Sequence, residues 1–521
     1  VIARDPGSIR SCLFDKLCWI IGLGVLVRLV FIGFLNLLPE EAYYWNYARH
    51  LDIGYLDHPP MVAWLISASE AILGRSELAV RMPAFLGWFA LAYFMFRLSK
   101  NTVGEESGKV VTLLLAVLPI YMSAGFLMTP DAPFYVCWAG ALFFLSQALF
   151  REGRHAWYGT GIFLGLGLLS KYTMGLIVPA AVAFMLLDKN SRHWFRKPQP
   201  YVAMLVALVL FSPVVIWNSQ HQWASFVFQG ADRWTGGVNF HLHILIGSML
   251  VLLTPLGLYE AIRAGLDFFK QRVAIRRENP LQYRKSLFLV TFTMVPLLVF
   301  VIHSIQGQPK LNWTGPVWLA LLPLIGLRIS VMKVWQKESS VRVVARPWFA
   351  AAVVLLVIFI AGFGYMIAGM PGLTKDSGMK FPIAWKECGD RIEEIETTLE
   401  RDTGVEPIII GLDSYWLASE ASFYDPDGEL HADSLPEIAG QNLIGENSLM
   451  WNLWVRPEAA HGRPGLLVSF TADKLEQKGV TDRFSRVGAI TKEVLRNRSG
   501  ETGHFYWRIG YDYRGTDPRT N

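Results

Sequence analysis

The sequence predicts a polytopic α-helical membrane protein of about eleven spans, followed by a C-terminal α/β domain outside the membrane. Three observations carry that expectation. The 521 residues are 52% hydrophobic and only 17% charged, with a mean hydropathy of +0.32, far from the soluble average. Apolar runs of spanning or near-spanning length follow one another as far as residue 369. After about Gly372 the runs stop and shorter amphipathic patterns replace them.

The apolar runs fall at about 17–38, 79–98, 110–128, 132–150, 156–169, 172–188, 200–217, 243–263, 286–304, 314–330 and 347–369. The first is long enough to span and no small-residue cleavage site follows it, so an uncleaved first helix is expected. Only Ser170 and Lys171 break the run from 156 to 188. This divides the chain into a membrane domain, 1–370, whose first outer loop is 39–78, and an extracytoplasmic domain, 371–521.

Orientation follows from lysine and arginine. With the N-terminus cytoplasmic, the inside segments hold twenty-four of them. The opposite side holds six: Arg49, Arg75, Arg81, Lys171, Arg233 and Lys310. The bias puts the N-terminus inside and the C-terminal domain outside. It also makes those six residues worth individual inspection.

In the C-terminal domain, Ile383, Trp385, Cys388, Ile392, Ile395 and Leu399 recur at helical spacing. Pro407 to Gly411 reads as a buried strand, Ser414 to Tyr424 as a helix, and Gly465 to Phe470 and Phe505 to Ile509 as further strands. The domain has no phosphate-binding glycine loop, and its acids read as a solvated helix face. It is therefore expected to assist a site in the membrane domain, not to catalyse alone.

The net charge of +5 is spread over short loops, which argues against nucleic acid as a partner. Cys12, Cys18, Cys137 and Cys388 have no metal-ligand spacing and suggest no disulfide framework. The Asn-x-Ser/Thr matches at Asn312 and Asn497 are common by chance.

The chemistry concentrates in the first outer loop. It reads Pro39-Glu-Glu-Ala-Tyr-Tyr-Trp-Asn-Tyr-Ala-Arg-His, then Gly54-Tyr-Leu-Asp-His-Pro-Pro-Met. Glu40 and Glu41 follow the first span directly, and Asp57 and His58 are held in an extended turn by Pro59 and Pro60. Carboxylates converging there could deprotonate an acceptor hydroxyl or hold a divalent cation. The plainer reading, that Glu40 and Glu41 cap a helix, would suffice for two adjacent acids alone. Asp131, beside Pro130 and Pro133, reads as a helix cap. Arg28 inside the first span is expensive in lipid and is expected to face the protein interior.

The loop resembles that of the GT-C glycosyltransferases, in particular the protein O-mannosyltransferase and lipid A aminoarabinose transferase group. The resemblance continues through Thr129-Pro-Asp-Ala-Pro, Leu169-Ser-Lys-Tyr-Thr, Trp217-Asn-Ser-Gln-His-Gln-Trp and Tyr415-Trp-Leu-Ala-Ser-Glu-Ala-Ser-Phe-Tyr. It implies an inverting transfer of a sugar from a polyprenyl-phosphate donor to a lipid A, glycan or protein acceptor. It also implies that the transfer takes place on the outer side of a membrane, a bacterial inner membrane being favoured. The family motif usually opens with Asp-Glu, whereas this chain has Glu40-Glu41.

The expected catalytic carboxylates are Glu41, Asp57 and Glu40, lining one outward-opening cavity. Lys171, placed by the resemblance against the donor phosphate, leads His58, Arg81, Arg233 and Lys310 in that role. Tyr44, Tyr55, Tyr172 and Asp131 are expected to complete the cavity. The rival expectation is a transporter or lipid flippase. No internal repeat supports it, and the acids cluster in a loop and not at mid-membrane.

Overall fold

The structure, a computed structural model, describes residues 6–230, 240–331, 346–368, 384–425, 436–497 and 500–515. Its helices begin with α1 (Pro6–Phe31), α2 (Pro39–Arg49), α3 (Met61–Leu73), α4 (Glu77–Thr102), α5 (Glu105–Val117) and α6 (Pro119–Ala124). They continue with α7 (Asp131–Phe150), α8 (Ala156–Leu168), α9 (Ile177–Leu187), α10 (Gln199–Gln220) and α11 (Ala224–Gln229). Then come α12 (Leu242–Glu278), α13 (Pro280–Gln306), α14 (Gly315–Val331), α15 (Arg346–Ala368), α16 (Trp385–Thr403) and α17 (Trp416–Tyr424).

Among the described residues, each apolar run read from the sequence lies mainly on helix, with corrections to the shape of some. The first run leaves helix at Phe31, short of the expected Leu38. The run 110–128 is two helices, because Pro119 has no N–H to donate and Leu118 takes extended backbone (φ −68°, ψ 136°). Among the described residues, six helices are long and apolar enough to cross a membrane. Tyr172–Leu187 and Lys189–Arg196, bent by 118°, make a seventh if counted as one broken span. Four shorter apolar helices accompany them, so eleven crossings remain the reading of the sequence.

Two compact units divide the chain. The first holds Val1–Val30, His58–Met61 and Met82–Phe359; the second holds Phe31–Asp57, Val62–Arg81 and Ile360–Asn521.

In the first unit, Arg28 is fully buried and donates to the carbonyls of Gly24, Leu115, Ala116 and Tyr121 at 3.1 to 3.3 Å. Leu115 is the residue whose helical partner would be the N–H that Pro119 lacks, so the guanidinium answers a break made by the proline. Trp88 lies beneath it at 4.7 Å. Small residues bring α8 and α10 together. A Cβ at Gly161 would stand 2.4 Å from the Ala203 carbonyl, and one at Gly165 2.7 Å from Leu210. Thr254, at φ 66° and ψ 161°, breaks α12 just before Pro255.

The second unit is built on a six-stranded sheet of order β2-β1-β3-β6-β4, with β5 also paired to β6. Its strands are β1 (Ile408–Gly411), β2 (Ile438–Gly440), β3 (Gly465–Ser469), β4 (Phe484–Val487), β5 (Thr491–Asn497) and β6 (Gly500–Tyr513). β1 runs parallel to β2 and β3, in register Ile409↔Ile438 and Ile409↔Leu466; β6 is antiparallel to β3, β4 and β5. α16 buries Trp385, Cys388, Ile392, Ile395 and Leu399, the expected stripe; Ile383 lies outside the described residues. α17 packs against α16, β1 and α2. The chain on either side of α2 is tied to α17 as well. Leu37 N–H donates to Tyr424 Oη at 2.8 Å, and Arg75 donates to the carbonyls of Ser422, Phe423 and Asp425.

Candidate active site

The two adjacent acids have different surroundings. Pro39 opens α2 with the φ a first helical position needs, and acids in the first turn suit the positive end of the helix dipole. Glu40 is exposed. Glu41 is fully buried: its Oε2 accepts from Leu38 N–H at 3.1 Å and from Arg81 Nη2 at 2.7 Å, and its Oε1 from Arg81 Nε at 2.9 Å. Arg81, 1% exposed, also donates to the carbonyls of Ile32, Leu35 and Asn36 at 2.6 to 3.1 Å. The expected reacting carboxylate Glu41 and the expected phosphate contact Arg81 are thus committed to one another. They fasten the chain after α1 to the starts of α2 and α4.

Asp57 is the acid with a prepared setting. It is 6% exposed, and its Oδ1 accepts from Tyr43 Oη at 2.9 Å and from Tyr47 Oη. Helical spacing puts those two phenols one turn apart on the same face of α2. Burial first, and the charge of Asp57 second, push both phenols well above their ordinary range, so they stand as donors. Tyr55, buried, stacks on Tyr47 at 3.9 Å between ring centres and donates to the carbonyls of Tyr47 and His50. Tyr44 packs edge-on against Tyr47 at 5.4 Å.

Glu420, on α17, was not singled out by the sequence. It is 1% exposed and neither carboxylate oxygen has a hydrogen-bond partner. Burial, and then the charge of Glu41, push it well above the usual carboxylate range.

In the first unit, Lys171 sits at the break between α8 and α9, with Nζ donating to Asp131 Oδ1 at 2.7 Å. Asn312 Nδ2 donates to the other oxygen of Asp131. The expected capping role of Asp131 is corrected: α7 has no side-chain cap, and the carboxylate serves Lys171 and Asn312 instead. Asn312, noticed only as a chance glycosylation match, belongs to this set. Exposed Lys310 stands two residues before it. Tyr172 Oη bonds Ser225 Oγ at 2.6 Å. His58 is half-buried, and Met61, at the end of its Pro-Pro turn, donates from its N–H to the Leu169 carbonyl at 3.0 Å, two residues from Lys171. Trp217 stacks on His221 at 4.0 Å. Arg233 lies outside the described residues. Among the described residues, no three His, Cys, Asp or Glu side chains group in a set that could hold a metal ion.

Fold and site define an integral membrane protein with an oriented carboxylate in a loop between helices, a lysine–aspartate pair at helix ends, and a C-terminal α/β unit. Residues 57–217 match the family model of dolichyl-phosphate-mannose-protein mannosyltransferase. Lipid A galacturonosyltransferase RgtD of Rhizobium johnstonii is 30% identical over 314 residues, 56% of this chain and 61% of that protein. Undecaprenyl phosphate-alpha-4-amino-4-deoxy-L-arabinose arabinosyl transferase 2 of Pseudomonas fluorescens is 23% identical over 81% of this chain and 80% of that one. The crystal structure of apo ArnT from Cupriavidus metallidurans has the same fold. Its TM-score is 0.63 at 14% identity, over 95% of this chain and 98% of that one. Fold likeness to ArnT and sequence likeness to these transferases agree with the resemblance to the GT-C glycosyltransferase group.

Proposed function

We propose that the protein is a membrane glycosyltransferase that moves a sugar from a polyprenyl-phosphate donor to a lipid A or lipopolysaccharide-type acceptor. The observation that carries this reading is Asp57: a nearly buried carboxylate whose Oδ1 is held by two phenol donors, inside the motif of the resemblance. The relatives add the substrate classes. One acts on lipid A, and another is a transferase for an undecaprenyl-phosphate-linked aminopentose.

In the reaction proposed, an acceptor oxygen attacks the anomeric carbon as the bond from that carbon to the phosphate oxygen breaks. The electron pair leaves with the polyprenyl phosphate, the anomeric configuration inverts, and the acceptor proton passes to Asp57. Glu40 is the second carboxylate available to the acceptor. The ammonium of Lys171, kept in place by Asp131, takes the charge that grows on the leaving phosphate, with Lys310, His58 and Arg233 in supporting roles. Glu41 and Arg81 act by fastening α2. The charge bias supports a cytoplasmic N-terminus and transfer on the outer face of a bacterial inner membrane.

Purified protein, given labelled galacturonosyl-, aminoarabinosyl- and mannosyl-polyprenyl phosphates with lipid A, decides the matter. Labelled lipid A and free polyprenyl phosphate are the expected products. A protein that consumes none of the donors, yet moves one across sealed vesicles, is a transporter and ends this reading.

A further inference from the structure

Asp57 does not stand alone; it is the end of a chain of donors that starts in the C-terminal part of the sequence. Tyr43 Oη, which donates to Asp57 at 2.9 Å, itself accepts the backbone N–H of Met450 at 3.2 Å. Tyr47 Oη also donates to Asp57 Oδ1 and lies 3.4 Å from Tyr43 Oη. All of these residues belong to the second unit.

The rings are as fixed as the hydroxyls. Tyr47 is stacked on Tyr55, and Tyr43 packs on Tyr415 at 4.5 Å between ring centres. Trp454, four residues beyond Met450, lies 5.7 Å from the Tyr47 ring and 6.2 Å from the Tyr43 ring. Tyr43 is 1% exposed and Tyr47 0%. Neither hydroxyl reaches a substrate through solvent, and burying a phenol without a partner is costly. Their arrangement is best accounted for by the carboxylate they hold. Two donors on one oxygen stop rotation about the Cβ–Cγ bond, and so set the direction in which Oδ2 points.

We propose that Tyr43 and Tyr47 are positioning residues for Asp57, and that the Met450 N–H, from the C-terminal α/β unit, completes the set. The C-terminal unit then contributes to the rate of transfer through a hydrogen bond of its backbone. This rests on the reading of Asp57 as the base. A carboxylate held at the right angle accepts a proton only when the acceptor oxygen is in line, so the phenols act on turnover and not on donor affinity.

The test uses the full-length protein and four variants: Tyr43→Phe, Tyr47→Phe, the double phenylalanine variant, and Asp57→Asn. Phenylalanine keeps the ring packing and removes only the hydroxyl. Each single variant is expected to lose about tenfold in kcat and the double variant about a hundredfold. The KM for the polyprenyl-phosphate sugar should stay within about twofold of wild type, since donor binding is not their task. Thermal midpoints serve as the control for folding; the single variants decide if the double does not accumulate. Unchanged kcat in the phenylalanine variants, or a raised KM at unchanged kcat, overturns the positioning role. In that case the proposed function stands, provided wild type transfers sugar and Asp57→Asn does not. A wild-type protein with no transfer, or an active Asp57→Asn variant, overturns the reading of the base and this inference with it.

Discussion

Lys171 and Glu41 are both held in ion pairs, and their surroundings make opposite predictions for them. The ammonium of Lys171 gives one donor to Asp131 and is 12% exposed, so it keeps donors for a second anion. A cation beside the leaving oxygen stabilises the transition state more than the bound donor, and so acts on rate. Lys171→Ala is expected to lose on the order of a hundredfold in turnover, as when one oxyanion donor is removed. Lys171→Arg should recover only part, since a planar fork reaches differently from an ammonium. Initial rates at equal membrane abundance check both; near-wild-type activity in the alanine variant removes Lys171 from the site. Glu41 has no such latitude. Its Arg81 partner is buried, and Glu41→Ala leaves that guanidinium without its anion, at a cost of about 3–5 kcal/mol. The variant should melt well below wild type and accumulate poorly. Normal stability with lost turnover would return Glu41 to the chemistry.

At the scale of elements, the packing of α2 on α17 buries a carboxyl group that no arginine hydrogen-bonds. Arg81 is taken by Glu41, while Glu420 on α17 is buried with no hydrogen-bond partner and Glu40 and Glu77 lie within range of its charge. Its acid is held well above the ordinary carboxylate range by burial, so the folded chain keeps a proton there that the unfolded chain releases. The sign follows: this contribution to stability is whole below the ordinary carboxylate range and is lost as pH rises towards the raised value. Glu420→Gln cannot lose a proton. Its thermal midpoint should therefore exceed that of wild type at pH 8, with the gap closing towards pH 5; a gap that is constant with pH contradicts the assignment. α16 holds a second departure from expectation. Glu396 is half-buried, not fully solvated; burial, then the charges of Glu393, Asp425, Glu437 and Glu406, push it up to about 9.

For the whole molecule, the division into units cuts across the linear order of the chain. The segments 31–57 and 62–81, from the first loop and its flanks, group with the C-terminal residues, while His58–Met61 group with the helical unit. The motif Tyr55-Leu-Asp-His-Pro-Pro is therefore divided at Asp57 and His58. The proposed orientation has a direct test. In a chain whose native cysteines are replaced by alanine, a cysteine at exposed Ser485 should react with an impermeant maleimide only from the outer face. One at exposed Arg272 should react only from the opposite face. Labelling of both from one side would reject the topology read from the charge bias.

The helices were legible in the sequence because hydropathy is a local property: a run of apolar residues cannot hydrogen-bond its backbone in lipid except as helix. The stripe of α16 and the strands β1 and β3 were legible for a similar reason, since their patterns complete within a few residues. β2 and β4, at three and four residues, carry too little pattern of their own, and their pairing partners lie elsewhere in the chain. Asp57 was legible from the prolines that follow it. Its two tyrosines were on view at helical spacing, but only a helix at 39–49 makes them neighbours, and only the path of the loop brings Asp57 to them. Asn312 reaches Asp131 across 181 residues, and Arg81 reaches Glu41 across 40. Such contacts alone distinguish an acid that fastens a helix from one that can take a proton. Charge and residue type are properties of the sequence, but burial and partner are set by packing between distant segments.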